Sequence, residues 1–206
     1  NDLRFALRGL SRSPLFAVVA VLSLALGLGA TTAIYTLVDQ ILLRRLPVKS
    51  PDELVMLYQR GPHAGSNMGD RMQSYPIYRE FQQRAEPLAE VLARRPVDTS
   101  VTIDGQTERL AAEMVSGNYF SMLGVTAAVG RVFSSEEDDR IYQGHPFVVI
   151  SHDYWMRRFN GDPAAVGTKV LVNNYPMTIV GVSAAGFTGP APARPPQLRV
   201  PILMTP

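Results

Sequence analysis

From Leu15 to Val38 the sequence carries no charged side chain, a run of 24 residues. An α-helix rises about 1.5 Å per residue, so such a run spans about 36 Å, more than the roughly 30 Å hydrocarbon core of a bilayer. Ser13 and Pro14 precede it, a pair suited to an N-cap and a first helical position. The polar side chains inside are Ser23, Thr31, Thr32, Tyr35 and Thr36, and hydroxyls can bond back to their own helix. A buried helix of a soluble core rarely stays apolar over this length. A cleaved signal peptide would use Arg4, Arg8 and Arg12 as its basic region and Thr31-Thr32-Ala33 as a poor cleavage site. The apolar run, however, continues past that site through Ile34 to Val38. The sequence therefore predicts a retained transmembrane helix.

Small residues recur four apart in two rows, Ser23, Gly27, Thr31 and Ala25, Gly29, Ala33. Small side chains let a neighbouring helix approach closely. Glycine in a helix costs about 1 kcal/mol relative to alanine in water, so two glycines in one span point to a packing role. The plain alternative is that glycine is simply more frequent in membrane helices. Upstream, Leu3, Ala6, Leu7 and Leu10 fall at helical spacing beside a ridge of Arg4, Arg8 and Arg12. That pattern predicts an amphipathic helix lying on an anionic membrane surface; the alternative is a solvated helix packed on another domain. Arg44, Arg45 and Lys49 flank the other end of the span, so the positive-inside rule nearly ties.

The net charge of +2 is unevenly distributed. Residues 1–50 carry six basic and two acidic side chains, whereas residues 51–206 carry 14 basic and 16 acidic ones. A nucleic-acid binder concentrates positive charge on its folded part, which excludes nucleic acid as a partner. The absence of cysteine excludes disulfides, thiol catalysis and thiolate metal sites.

After Leu43 the texture changes to that of a mixed domain. Leu54-Val55-Met56-Leu57-Tyr58 reads as a buried strand and Gly61–Asp70 as a loop. Ser74–Arg84 reads as a helix with Tyr75, Tyr78 and Phe81 on one face. Val97–Ile103, the turn Asp104-Gly105 and the run to Val115 read as a hairpin. Asn118–Leu123 reads as a short helix stopped by Gly124. Phe147–Ile150 is a short buried strand, and Ser151 opens a helix carrying Tyr154, Trp155, Arg158 and Phe159. Val170–Val172, Asn173-Asn174 and Thr178–Val182 form a second hairpin. Proline-rich Thr188–Gln197 cannot form a regular element. Pro201 assigns Val200–Leu203 to an edge strand. The expected fold class is α+β, with hairpins and short helices behind one membrane helix.

No constellation combines a nucleophile, a base and an orienting group. Gly161–Lys169 lacks the spacing and the lysine of a phosphate loop, and Gly181–Gly186 misses a serine-hydrolase elbow by one residue. The acidic run Ser134–Asp139 lacks the glycine bend of a calcium loop. His145 and His152 lack partners at metal-ligand spacing. Trp155 beside Phe159 reads as a core anchor. The residues predict no enzyme, no metal and no cofactor.

The order of segments resembles a known family. Asp2–Arg8, Ser13-Pro14, Leu24–Ala30 and Leu42-Leu43-Arg44 are similar to the opening of MacB/FtsX-type ABC-transporter permeases, notably the large stand-alone permeases of acidobacteria. Several later segments resemble the MacB-like periplasmic core domain. These are Val115–Phe120, Leu123-Gly124-Val125, Gly130–Phe133, Val148–Ser151 with Trp155, Arg158-Phe159, Gly161-Asp162-Pro163, Val166-Gly167 and Ile179–Val182. The resemblance implies a cytoplasmic N-terminal segment at 1–13, a transmembrane helix and stalk at 14–46 and a periplasmic core domain at 47–206. It implies the bacterial inner membrane as location. As partners it implies an ABC ATPase subunit, other permease helices or a second permease copy, the inner membrane and a periplasmic protein. The implied function is transmission of ATP-driven motion to the periplasmic domain, for export, efflux or lipoprotein release. The chain carries one of the four spans this architecture implies and no ATPase, so the expectation is part of a longer permease or a truncated product. Two alternatives stand beside it: a membrane-anchored binding or regulatory module without its own ATPase, and an exported enzyme behind a signal peptide.

Overall fold

The computed structural model describes residues 14–39, 46–57, 74–85, 88–135, 146–191 and 194–204. The chain divides into two units, Asn1–Arg45 and Leu46–Pro206. In the first, Pro14–Val38 forms one α-helix, α1, none of whose residues is buried. The hydroxyls of Thr31, Thr32 and Thr36 each donate to the carbonyl four residues back, on Gly27, Leu28 and Thr32, at 2.8 Å. They are thereby satisfied within the helix, as a medium without water requires. The amphipathic segment at 1–13, with Arg4, Arg8 and Arg12, and the stalk residues 40–45 lie outside the described residues.

The second unit is built on strands β1 (Arg94–Ile103), β2 (Gln106–Val115), β3 (Ala127–Gly130), β4 (Phe147–Ile150), β5 (Lys169–Val172), β6 (Tyr175–Ser183) and β7 (Leu198–Pro201). Helix α2 (Tyr75–Ala85) precedes the first strand, and helices α3 (Tyr119–Met122) and α4 (His152–Phe159) lie between strands in sequence. The strand order is β3-β6-β4-β7-β2-β1-β5, and β5 also pairs with β6. The ladder from β6 through β4, β7, β2 and β1 to β5 therefore closes on itself, which removes free edges from those strands. Pairing is mostly antiparallel, with β2–β7 and β4–β6 parallel. The fold is the mixed helix-and-strand domain behind one apolar helix that the sequence predicts.

Local chemistry accounts for the turns. Asp104 and Gly105 both have positive φ, 52° and 76°, as do Asn173 and Asn174, 48° and 67°. These are the residue types that tolerate such angles, and two of them in a row match the twist of a hairpin. Ser151 caps α4 by accepting from the Tyr154 N–H, and Asn160 closes it in the left-handed conformation. Gly124 ends α3 at φ 68°.

Period-two alternation sorts the strands between two cores. Val101, Leu110, Met114, Val148, Ile150, Val170, Ile179 and Leu198 meet in one, with Tyr154 and Trp155 of α4. Val115, Val149, Tyr119, Phe120, Leu123, Phe133 and Phe187 form the other. A register shift where β6 pairs with β4 lets Ile179 and Val182 both face the first core.

Two local expectations fail. Residues 54–57 form no strand, and Val55, Met56 and Leu57 are exposed by 82%, 53% and 49%. Only Leu54 packs against the second core. An apolar run becomes a strand only when a neighbour offers a ladder, and among the described residues no strand pairs with this run; Tyr58 lies outside them. Pro201 does not mark an edge either: β7 lies between β4 and β2 in the middle of the order. The strand is four residues long and Pro201 is its last. Its pairing with β4 involves Leu198 and Arg199 alone, so the proline nitrogen interrupts no ladder there. Of the predicted face of α2, Tyr78 is buried while Phe81 is 43% exposed. The Gly61–Asp70 loop lies outside the described residues.

Candidate functional site

The two small-residue rows of α1 do not form one face. They are offset by two residues, which is about 200° around a helix axis. Ser23, Gly27 and Thr31 therefore line one side, and Ala25, Gly29 and Ala33 nearly the opposite one. A Cβ placed on Gly27 or on Gly29 would meet no atom within 4 Å. The space beside each glycine is open, and α1 is long and apolar enough to cross a membrane.

In the second unit the structure assembles a site that no motif announces. The parallel register sets Glu113 of β2 opposite Arg199 of β7. Both point away from the first core, by alternation with Ala112, Met114, Leu198 and Val200. Glu113 is 2% exposed and Arg199 0%. The Arg199 Nε lies 3.4 Å from Glu113 Oε2. Arg94 Nη1 donates to Glu113 Oε1 at 2.5 Å, and the Tyr119 hydroxyl donates to Oε2 at 2.9 Å. The guanidinium carbon of Arg199 lies 4.6 Å from the ring centre of Phe187, 5.7 Å from that of Tyr119 and 5.9 Å from that of Phe120. Aromatic faces attract a cation, and more strongly away from water. Burial pushes the Tyr119 phenol well above its ordinary range; Arg199 opposes this shift and the Glu113 carboxylate adds to it.

Two arginines on one carboxylate leave the cluster with a net positive charge. Among the described residues no guanidinium nitrogen of Arg199 makes a hydrogen bond. The cluster ties β1, β2, β7 and α3 together at the second core. The available signal in the sequence was slight: Glu113 is the lone charge in Ala111–Val115, and Arg199 the lone charge in Leu198–Pro201. Only the register between the two segments pairs them.

Two clefts lie nearby. One, of about 230 Å³, is lined by Ser151, His152, Tyr154 and Arg157 on one side and by Gly186, Phe187 and Thr188 on another. The second, of about 160 Å³, lies among Arg94, Val97, Glu113, Ala191 and Arg194. His152 stacks edge-on against Trp155, with ring centres 5.4 Å apart. Trp155 is a core anchor, its indole N–H donating to the Asp162 carbonyl at 2.8 Å. Among the described residues no three His, Cys, Asp or Glu side chains gather in a way that could hold a metal.

The family model described as the MacB-like periplasmic core domain matches residues 17–205. The chain belongs to this family. The chain is similar in sequence to a probable export ATP-binding/permease protein MacB of Pseudomonas entomophila (strain L48), 33% identical over 90 residues. It is 32% identical over 89 residues to a probable syringafactin export ATP-binding/permease protein SyfD of Pseudomonas syringae pv. syringae (strain B728a). These alignments cover 44% and 43% of the chain and 12% of each relative. In fold it resembles the crystal structure of the periplasmic region of MacB from Actinobacillus actinomycetemcomitans, with a TM-score of 0.52 at 15% identity. That likeness covers 70% of this chain and 63% of the other. The resemblance read from the ordered segments of the sequence thus identifies the MacB-like family and its fold.

Proposed function

We propose that the chain is the membrane-anchored periplasmic part of an ABC-transporter permease. In this reading α1 crosses the inner membrane from a cytoplasmic N-terminus and the MacB-like domain stands outside. A partner ATPase hydrolyses ATP, and the helix and domain convert its motion into export or other periplasmic work. The chain itself supplies no catalytic group. The observation that carries the reading is the extent of the family match, which begins at residue 17, inside α1, and runs to residue 205. Helix and domain are thus parts of one family unit. Export functions in the names of the two Pseudomonas relatives support it. The closed ladder and the buried Arg94–Glu113–Arg199 cluster suit it physically, since a part that transmits motion must resist deforming.

Protease digestion of spheroplasts combined with alkaline extraction tests the arrangement. Added protease is expected to remove the domain from intact spheroplasts, while the undigested protein stays in the alkaline-washed membrane pellet. A soluble form beginning after Ala33, or full protection of the domain, would overturn it.

The glycines of α1 are the proposed contact to neighbouring permease helices. A Cβ at either position meets nothing within 4 Å among the described residues, so a loss of assembly in Gly27→Leu or Gly29→Leu points to a partner helix. Each is expected to lower co-purification of the assembled permease several-fold, and the larger loss identifies the contacting side. Unchanged assembly in both variants would remove these residues from the interface.

A further inference from the structure

Residues 184–191 leave the end of β6 and pass over the Glu113–Arg199 pair. Phe187, 5% exposed, inserts its ring against the Arg199 guanidinium. At Gly189 the backbone lies so close that a Cβ would stand 3.0 Å from Tyr119 Oη and 3.2 Å from Arg199 Nη2. Its φ of 81° also favours glycine. Among the described residues, Thr188, Gly189 and Pro190 make no backbone–backbone hydrogen bond. Ala184 anchors the start of the segment, its N–H donating to the Thr126 carbonyl at 3.1 Å, and the Phe187 N–H donates back to the Ala184 carbonyl at 3.2 Å. Beyond that point the segment keeps its place through one aromatic side chain and one close backbone approach. Each cleft borders it, the larger at Gly186, Phe187 and Thr188, the smaller at Ala191.

We propose that residues 184–191 form a strap that opens and closes over the Arg199–Glu113 pair while the sheet beneath stays folded. Three physical features favour this. Closing the strap takes a charged pair out of water, and that desolvation opposes the closed state. Opening hydrates a guanidinium whose nitrogens make no hydrogen bond when covered. Opening also breaks few backbone hydrogen bonds, and segments held by few such bonds open below the cost of global unfolding. The clefts give the strap room to move, and opening withdraws one ring, that of Phe187, from the edge it shares with Tyr119 and Phe120 in the second core. The exposed face of the open form is a cation rimmed by Tyr119 and Phe120.

Modification of Arg199 by phenylglyoxal, followed by mass spectrometry of the full chain in detergent, tests the proposal, because Arg199 is fully covered when the strap is shut. Below the unfolding transition, reported by Trp155 fluorescence, the modification rate is expected to be independent of urea, as local opening requires. A rate that rises with urea in step with global unfolding would overturn the strap. Gly189→Ala, which crowds Tyr119 and Arg199 and strains a backbone held at φ 81°, is expected to raise the rate about tenfold or more. An unchanged rate in a folded Gly189→Ala protein would also overturn it. Should that variant fail to fold, the urea dependence of the unaltered protein decides.

Discussion

Glu113→Leu is expected to cost the domain about 3–5 kcal/mol, the usual loss when one partner of a buried ion pair is removed. The carboxylate serves three partners, two donors and one counter-charge. Its Oε1 accepts from Arg94, and its Oε2 faces Arg199 and accepts from Tyr119. Leucine leaves Arg199, 0% exposed, without a counter-charge, and leaves the buried Tyr119 hydroxyl without its acceptor. Arg94 is 20% exposed and borders a cleft, so it can turn towards water. The double variant Glu113→Leu/Arg199→Met is expected to be more stable than either single one, because it replaces the pair by apolar side chains of similar bulk. Urea unfolding followed by fluorescence of the sole tryptophan, Trp155, measures all of them. Additive losses in the double variant would show that the two residues act independently.

Gly181→Ala is expected to cost roughly 3 kcal/mol, at the upper end of what overpacking usually causes. A Cβ there would lie 2.0 Å from the Arg131 carbonyl oxygen and 2.8 Å from the Arg131 carbonyl carbon and nitrogen. The obstacle is backbone, so no rotamer change relieves it. Arg131 is itself held to β6 by its N–H donating to the Val180 carbonyl at 3.0 Å. Gly181 pairs with Gly130 of β3 and Val149 of β4, so both neighbouring strands feel the displacement. Gly105→Asn makes the contrast. A Cβ at Gly105 meets nothing within 4 Å, and asparagine tolerates its φ of 76°. That variant is expected to lose about 1 kcal/mol or less, because asparagine visits this region more readily than other side chains. Equal losses at the two positions, measured by the same unfolding experiment, would contradict the steric account.

The MacB-like domain divides cleanly into features readable along the chain and features that arise between distant segments. The apolar span ending at Val38, the hairpin turns Asp104-Gly105 and Asn173-Asn174 and the Ser151 cap each depend on residues within a few positions of one another. Composition and periodicity carry that information directly. The run Leu54–Leu57 has the same apolar texture as Phe147–Ile150, yet only the latter becomes a strand, because β6 and β7 flank it. Pro201 looked unfit for the middle of a sheet, and it is accommodated there by ending its strand. Glu113 and Arg199 are separated by most of the domain's length and carry no local mark. They become a site because a parallel register sets them face to face and Phe187 and Gly189 shut out the water. Short-range preferences act through neighbouring backbone atoms and can be read in linear order. Register, strand neighbours and the burial of charge depend on contacts between remote segments, and these exist only once the chain has closed upon itself.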